Sequence, residues 1–421
     1  METNERNYLV IRWSKLANGE RLPLLFRRSS GLPIQSVTFW SIAARRTLGM
    51  QPNTLFNELR SLMVLFIWAD SRKVDIDQRI REGEFLTLSE IIDLVGFCEG
   101  HLQDLLASSL KWRVDVDRQA VKTCYRSRVV KPGLKRDRLS NIRNFLEFLS
   151  ADQLSTLQSW DSKWLLYNDR RNACFSILDR HIKAIRGGAI HQLDLKEGVD
   201  PEIVKELLTI TAPDHPDNPF SKNVRLRNHL IFRLFAELGI RRSELLNIYV
   251  LDCSITDKNG TVTIHRRPDD INDPRTEKPA NKTSARVLPI SNRTSELVHE
   301  WVVRHRSKLQ EAKKHPFLIT STPSGAPMSL SSINKIFQAL RGRVDGIPDN
   351  LSPHLLRHSW NDAFSNLIDS KSNISPEEEI KWRKRLMGWS SDETAGIYLR
   401  RTVRKRSNEF LKKMQDGLIK D

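Results

Sequence analysis

The sequence predicts a mainly α-helical protein with a small antiparallel β-sheet set into its C-terminal half, an α+β arrangement preceded by an all-helical N-terminal half. Three observations lead there. Apolar residues recur at helical spacing over most of Val37 to Ile185, as in Leu59, Leu62, Met63, Phe66 and Ile67. Helix-start signals stand at Thr87, Asp200, Ser352 and Ser375. Two short strand-like runs, Tyr249–Ser254 and Thr261–His265, flank the hairpin signal Asp257-Lys-Asn-Gly260, and Ala285–Ile290 supplies a third strand.

Residues 1–35 read as an N-terminal arm, where loose alternation over Tyr8–Trp13 and punctuation at Gly19 and Pro23 suggest a hairpin. Residues 36–185 read as one helical domain. Within it Thr87-Leu-Ser-Glu90 forms a capping box ahead of Ile91, Ile92, Leu94 and Val95, and Asn141–Leu149 carries Ile142, Phe145, Leu146 and Phe148. Arg186-Gly-Gly-Ala189 opens a polar linker over residues 186–200. The second domain, residues 201–421, begins with Asp200 as a helix cap and Pro201 at the first helical position. Leu226, Leu230, Ile231, Leu234, Phe235 and Leu238 then form an apolar stripe, and Gly239 stands where that helix must stop.

At 421 residues the chain is long enough to bury two cores. A net charge of +17 and a pI near 9.8 come from abundant Lys and Arg, not from scarce acids. The implied partner is a polyanion, nucleic acid or an anionic membrane surface. The apolar run Leu62–Ala69 is far shorter than the roughly 18 residues a bilayer span needs. The N-terminus has no basic region followed by an apolar block, so no signal peptide is expected. Cys98, Cys124, Cys174 and Cys253 make no Cys-x-x-Cys pair, which argues against a zinc site and a disulfide framework and favours a reducing, cytoplasmic compartment. Neither a metal nor another cofactor is expected.

Five separated stretches of the C-terminal half carry residues able to do chemistry. Leu238-Gly-Ile-Arg-Arg-Ser-Glu-Leu-Leu246 offers Arg241, whose guanidinium fork matches phosphate oxygens and stays charged, with Glu244 as its charge partner and Arg242 beside it. Lys282-Thr-Ser-Ala-Arg-Val-Leu-Pro289 sets a lysine ahead of a short strand, with Lys278 as the competing choice. In Ser352-Pro-His-Leu-Leu-Arg-His-Ser359 a capped helix start places His354 and Arg357 on one face, where backbone N–H groups already favour a phosphate. Beyond a helix ending at Leu386-Met-Gly388 come Trp389 and, nine residues on, Tyr398. Singly, each stretch has an ordinary reading: a surface Arg-x-x-Glu pair, a solvated lysine, a polar helix face or two-histidine metal site, a half-buried tyrosine. His354 and His358 lack a nearby third ligand, which disfavours the metal.

Taken together, in order, spacing and flanks, these stretches resemble the active site of the tyrosine recombinases, the phage integrase family. The first is similar to the family's Gly-Leu-Arg-x-x-Glu-Leu and the third to its His-x-Leu-Arg-His. The last resembles Leu-Gly-His-Ser-Ser-x-x-Thr-Thr-x-x-Tyr but has Trp389 where a histidine is more frequent. An indole N–H can donate to a phosphate oxygen but cannot transfer a proton. The resemblance implies catalytic roles for Arg241, Lys282, His354, Arg357, Trp389 and Tyr398. Tyr398 would attack the scissile phosphate to leave a 3′-phosphotyrosyl link and a free 5′ hydroxyl, and the cations would lower the phenol's pKa. Lys282 would protonate the leaving oxygen, and His354 would assist at the tyrosine.

The resemblance further implies double-stranded DNA as partner, a homo-tetramer on synapsed sites, accessory DNA-bending or directionality factors, and a bacterial, nucleoid-associated protein that integrates or excises a mobile element. Lys122, Arg126, Arg128, Lys131, Lys135, Arg136 and Arg138 in the N-terminal half are candidates for phosphate contacts, with a merely solvated basic face as the alternative. In the basic tail, Phe410, Leu411, Met414 and Leu418 fall at helical spacing, suited to a neighbouring subunit or to folding back. Other readings remain open: type IB topoisomerase-like relaxation, a catalytically silent DNA-binding regulator on the same fold, and an RNA- or membrane-surface-binding basic protein.

Overall fold

The longest apolar run decides where the first core sits. In the computed structural model, which describes residues 8–114, 128–185, 198–255, 260–279, 281, 283–370, 374–391, 396, 407–408 and 410–416, Leu62–Ala69 is buried on every side of its helix. A helix apolar all round must be wrapped by others. The chain divides into two compact units, Met1–Leu16 with Arg21–Leu193, and Ala17–Glu20 with Asp194–Asp421.

In the first unit, β1 (Leu9–Lys15) and β2 (Arg21–Arg27) pair antiparallel as a hairpin. The segment expected as an arm therefore adds to the helical core, with Leu9 and Leu25 fully buried in it. Then come α1 (Gln35–Phe39), continued by a π-helical stretch Trp40–Arg46, α2 (Pro52–Ser71), α3 (Ile76–Glu82), α4 (Leu88–Phe97), α5 (Leu102–Val114), α6 (Pro132–Ser155) and α7 (Ser162–Ala184). The capping box at Thr87 forms as its residues demand: Thr87 accepts from the Glu90 amide, and Glu90 accepts from the Thr87 amide at 2.8 Å. The central helix α2 packs on α6, β2 and α5.

The second unit starts at Asp200, whose carboxylate accepts from the Glu202 amide at the head of α8 (Pro201–Ile210). Next is α9 (Lys222–Leu238), its apolar stripe buried, followed by α10 (Arg242–Leu246). The sheet has strand order β3-β4-β5, with β3 (Cys253–Ser254), β4 (Gly260–Ile264) and β5 (Arg286–Ile290), all antiparallel, and Val262 opposite Leu288. The strand expected over Tyr249–Ser254 is largely a 3-10 turn at Val250–Asp252. The Asp252 carboxylate accepts from the Tyr249 amide at 2.8 Å and is held by Arg267, so the backbone curls instead of extending. After α11 (Asn292–Glu300) and α12 (Leu330–Arg341) come α13 (Pro353–Asp369) and α14 (Pro376–Met387), the elements that bear most of the site. α9 lies at the centre, packed by α13, α11, α8 and β5, with Phe232 and Phe235 against Phe337.

Candidate active site

The site grows from three helix ends and one strand. Gly239 ends α9 in the left-handed region (φ +56°), and a Cβ there would lie 2.7 Å from the Trp360 ring, so only glycine fits without displacing α13. Two residues on, Arg241 caps α10. Its amide donates to Glu244 Oε2 at 2.7 Å, and its Nη1 lies 3.7 Å from Glu244 Oε1. That Nη1 is buried and has no hydrogen-bond acceptor among the described residues. A buried donor without an acceptor is uncommon enough to require an explanation.

Ser352 caps α13, its hydroxyl accepting from the Leu355 amide at 3.3 Å, with Pro353 in the first helical position. The first turns carry His354, which is exposed, and Arg357, which is buried. Arg357 donates to the Gly239 carbonyl at 2.6 Å and to the Met387 carbonyl at 3.4 Å, and its guanidinium lies 5.4 Å over the Trp389 ring. Trp389 follows Gly388, the left-handed end of α14 (φ +67°), and packs with Met387, Trp360, Ile380 and Leu386. One guanidinium thus ties the end of α9 to the end of α14, and the indole face beneath it fixes its plane.

Glu244 is the hub. It is 1 % exposed, and Arg286 from β5 meets it with Nη2 at 3.0 Å and Nη1 at 3.2 Å. Thr283 also donates to it, and Arg357 Nη1 stands 4.0 Å away. Burial alone would raise the carboxyl pKa; the Arg286 charge, with hydrogen bonds from Arg286, Thr283 and the Arg241 amide, holds it below the usual carboxylate range. Arg286 also donates through Nε to the Leu386 carbonyl at 2.7 Å, and the Ser284 amide donates to the Gly388 carbonyl at 3.1 Å. The loop leading into β5 is thereby docked on the Gly388–Trp389 step.

Residues 199–405 match the model of the phage integrase family. These residues form a phage integrase family domain. Tyrosine recombinase XerD of Corynebacterium glutamicum is 26% identical over 191 residues, 45% of this chain and 53% of that protein. Tyrosine recombinase XerC of Proteus mirabilis is 23% identical over 204 residues, 48% of this chain and 54% of that protein. The chain thus spans about half the length of the curated relatives it matches. Among solved structures, the Tn1549 transposon integrase in complex with circular intermediate DNA aligns with TM-score 0.48 and 11% identity, over 87% of this chain and 94% of that one. The XerH recombinase bound to palindromic difH substrate aligns with TM-score 0.43 and 15% identity, over 84% and 96%.

Within the integrase-family domain, then, Arg241, Glu244, Arg357 and Trp389 come together. His354 lies one turn from Arg357, and its Nε2 is 3.1 Å from Nε2 of His358, with the two rings edge to face. One imidazole must donate and the other accept in that contact. No group of three or more metal-ligating side chains occurs among the described residues. Lys282 and Tyr398 lie outside the described residues, as do Lys122 and Arg126. The competing Lys278 directs its ammonium to the Arg267 and Pro268 carbonyls. Arg242 donates to the Asn334 side chain.

The basic run divides in the structure. Lys131 and Arg136 are exposed. Arg128 is exposed and paired with Asp104 at 3.1 Å, and Lys135 is paired with Glu99 at 2.6 Å. Arg138 is a correction: it is 4 % exposed, with Nη1 donating to the Cys98 and Gly100 carbonyls, and so belongs to the core and not to a phosphate-contacting surface. Arg286 and Thr283, which no sequence motif above singles out, complete the surroundings of Glu244. A charged residue in the alternating strand Arg286–Ile290, at a position that faces inward with Leu288 and Ile290, was the available signal.

Proposed function

We propose that this chain is a site-specific DNA recombinase that cuts and rejoins strands through a covalent link to Tyr398. The observation that carries the reading is the cationic hole around Glu244. Three guanidiniums, Arg241, Arg286 and Arg357, surround one buried carboxylate, and Arg241 Nη1 has no acceptor among the described residues. A phosphodiester oxygen supplies both the missing charge and the missing acceptor. In this reading Arg241 and Arg357 hold the scissile phosphate, and Trp389 orients Arg357 and donates through its indole N–H. His354, supported by His358, handles the proton at Tyr398. Lys282 protonates the leaving 5′ oxygen, a role for which Lys278 is poorly placed because its ammonium is turned to backbone carbonyls.

The other tyrosines with described positions suit the nucleophile's role badly. Tyr8 is buried. Tyr167 donates to the Ile80 carbonyl and burial pushes its pKa up to about 12, and Tyr249 donates to Asp270 and is raised too, by burial and by that carboxylate. Residues 36–185 are assigned to DNA binding, 186–200 to a linker and 201–421 to catalysis, with Arg128, Lys131 and Arg136 on the duplex side of the first unit. Assembly as a tetramer on synapsed sites, integration or excision of a mobile element, accessory DNA-bending factors and a place on the bacterial nucleoid complete the proposal. The exposed Phe410, Leu411 and Met414 suit the subunit contact, and no helix among the described residues is long and apolar enough to cross a membrane.

The test is a suicide duplex carrying the ends of the chain's own element, incubated with protein and then denatured. A protein–DNA adduct that Tyr398→Phe abolishes supports the proposal. No adduct, or an equal one with Tyr398→Phe, overturns it, and relaxation of any supercoiled plasmid redirects it to topoisomerase chemistry.

A further inference from the structure

Arg286 does no chemistry in the mechanism above, yet it makes the closest ion pair with Glu244, 3.0 Å against 3.7 Å for Arg241 and 4.0 Å for Arg357. Its guanidinium is otherwise engaged with the Leu386 and Ser284 carbonyls and the Thr283 hydroxyl, so each of its three nitrogens already has an acceptor within the protein. A buried carboxylate pairs with whatever cation is nearest. Without Arg286, Glu244 would draw in Arg241, its next-nearest cation, and the positive charge that Arg241 offers would be lost.

We propose that Arg286 is a positioning residue that neutralises Glu244, leaving the charge of Arg241 available to a DNA phosphate. The inference rests on the recombinase reading of the site. Glu244 thereby acts as a scaffold: it accepts from the Arg241 amide and orients that arginine without quenching it, because the Arg286 guanidinium carries the compensating charge. The same side chain couples the loop before β5 to the end of α14, so the charge balance and the register of three segments depend on one residue.

The experiment is a double-mutant cycle on single-turnover cleavage of the suicide duplex, with DNA affinity and thermal melting measured alongside. Arg286→Gln lowers cleavage on the order of 10²-fold, comparable to loss of one preorganised transition-state donor, with DNA affinity within about threefold because the phosphate contacts of the first unit are untouched. In a Glu244→Gln background the same change costs less than about tenfold, since no carboxylate is left to neutralise. Arg286→Lys, which keeps the charge and loses the fork, stays within about tenfold of wild type and provides the reading if Arg286→Gln does not fold. Equal losses from Arg286→Gln in both backgrounds, or Arg286→Lys as slow as Arg286→Gln, overturn the proposal and leave Arg286 a packing residue. If wild-type protein forms no Tyr398 adduct, the recombinase reading falls first, and this inference with it.

Discussion

Trp389 shows what one side chain can change. Its indole lies under the Arg357 guanidinium and within a small apolar cluster, where it can hold and donate but cannot titrate. Trp389→Phe keeps the ring and loses the N–H, and is expected to slow cleavage about tenfold, on the scale of one neutral hydrogen bond to the reacting phosphate. Trp389→His places a group of ordinary pKa near 6.5 there, and its pH–rate profile should gain an inflection that wild type lacks; identical profiles would mean that position 389 does not meet the reacting phosphate. A second histidine has a purely structural consequence. His229 on α9 is buried against Thr211, and burial lowers its pKa to about 4. Because the folded value lies below the unfolded one near 6.5, the unfolded chain binds the extra proton between them. Stability is therefore full above about pH 6.5 and falls by up to about 3 kcal/mol as the pH drops to 4. Melting temperatures of wild type and His229→Gln over that range should diverge toward low pH; parallel curves would show that His229 does not titrate in this way.

At the scale of elements, the helix ends set the geometry. Gly239→Ala forces a Cβ to within 2.7 Å of Trp360 at a positive φ, and should cost at least about 1–2 kcal/mol of stability. It should also lower cleavage more than that loss explains, because the Gly239 carbonyl holds Arg357 and the turn aims Arg241. A melting shift with unchanged cleavage would contradict that coupling. Such ends were legible in the sequence because their chemistry is local: Thr87 with Glu90, Asp200 with Pro201, Ser352 with Pro353, and glycines after α9 and α14. Partners distant along the chain were not legible. Glu244 was expected to serve Arg241, three residues away, and its closer partner, Arg286, arrives from a strand 42 residues on. The basic run from Lys122 to Arg138 reads as a candidate phosphate-contacting surface, but whether each of its side chains meets water or backbone carbonyls depends on what packs against it. Here the turn at Cys98–Gly100 takes Arg138 inward.

For the whole molecule, the net charge of +17 predicts DNA affinity that falls steeply with salt. Lys131→Ala and Arg136→Ala should each reduce the slope of log affinity against log salt by about one, whereas Arg138→Ala should leave the slope unchanged and lower the melting temperature. Equal slopes for all three variants would move the DNA-facing surface elsewhere. Of the chain's five tyrosines, Tyr398 alone is assigned to attack the phosphate. Nuclease digestion of the trapped adduct followed by peptide mass spectrometry reads the resulting bond directly. A 3′-linked nucleotide remnant is expected on the peptide containing Tyr398, with a free 5′ hydroxyl on the released strand; a remnant on another residue, or a 5′ linkage, would contradict attack by Tyr398.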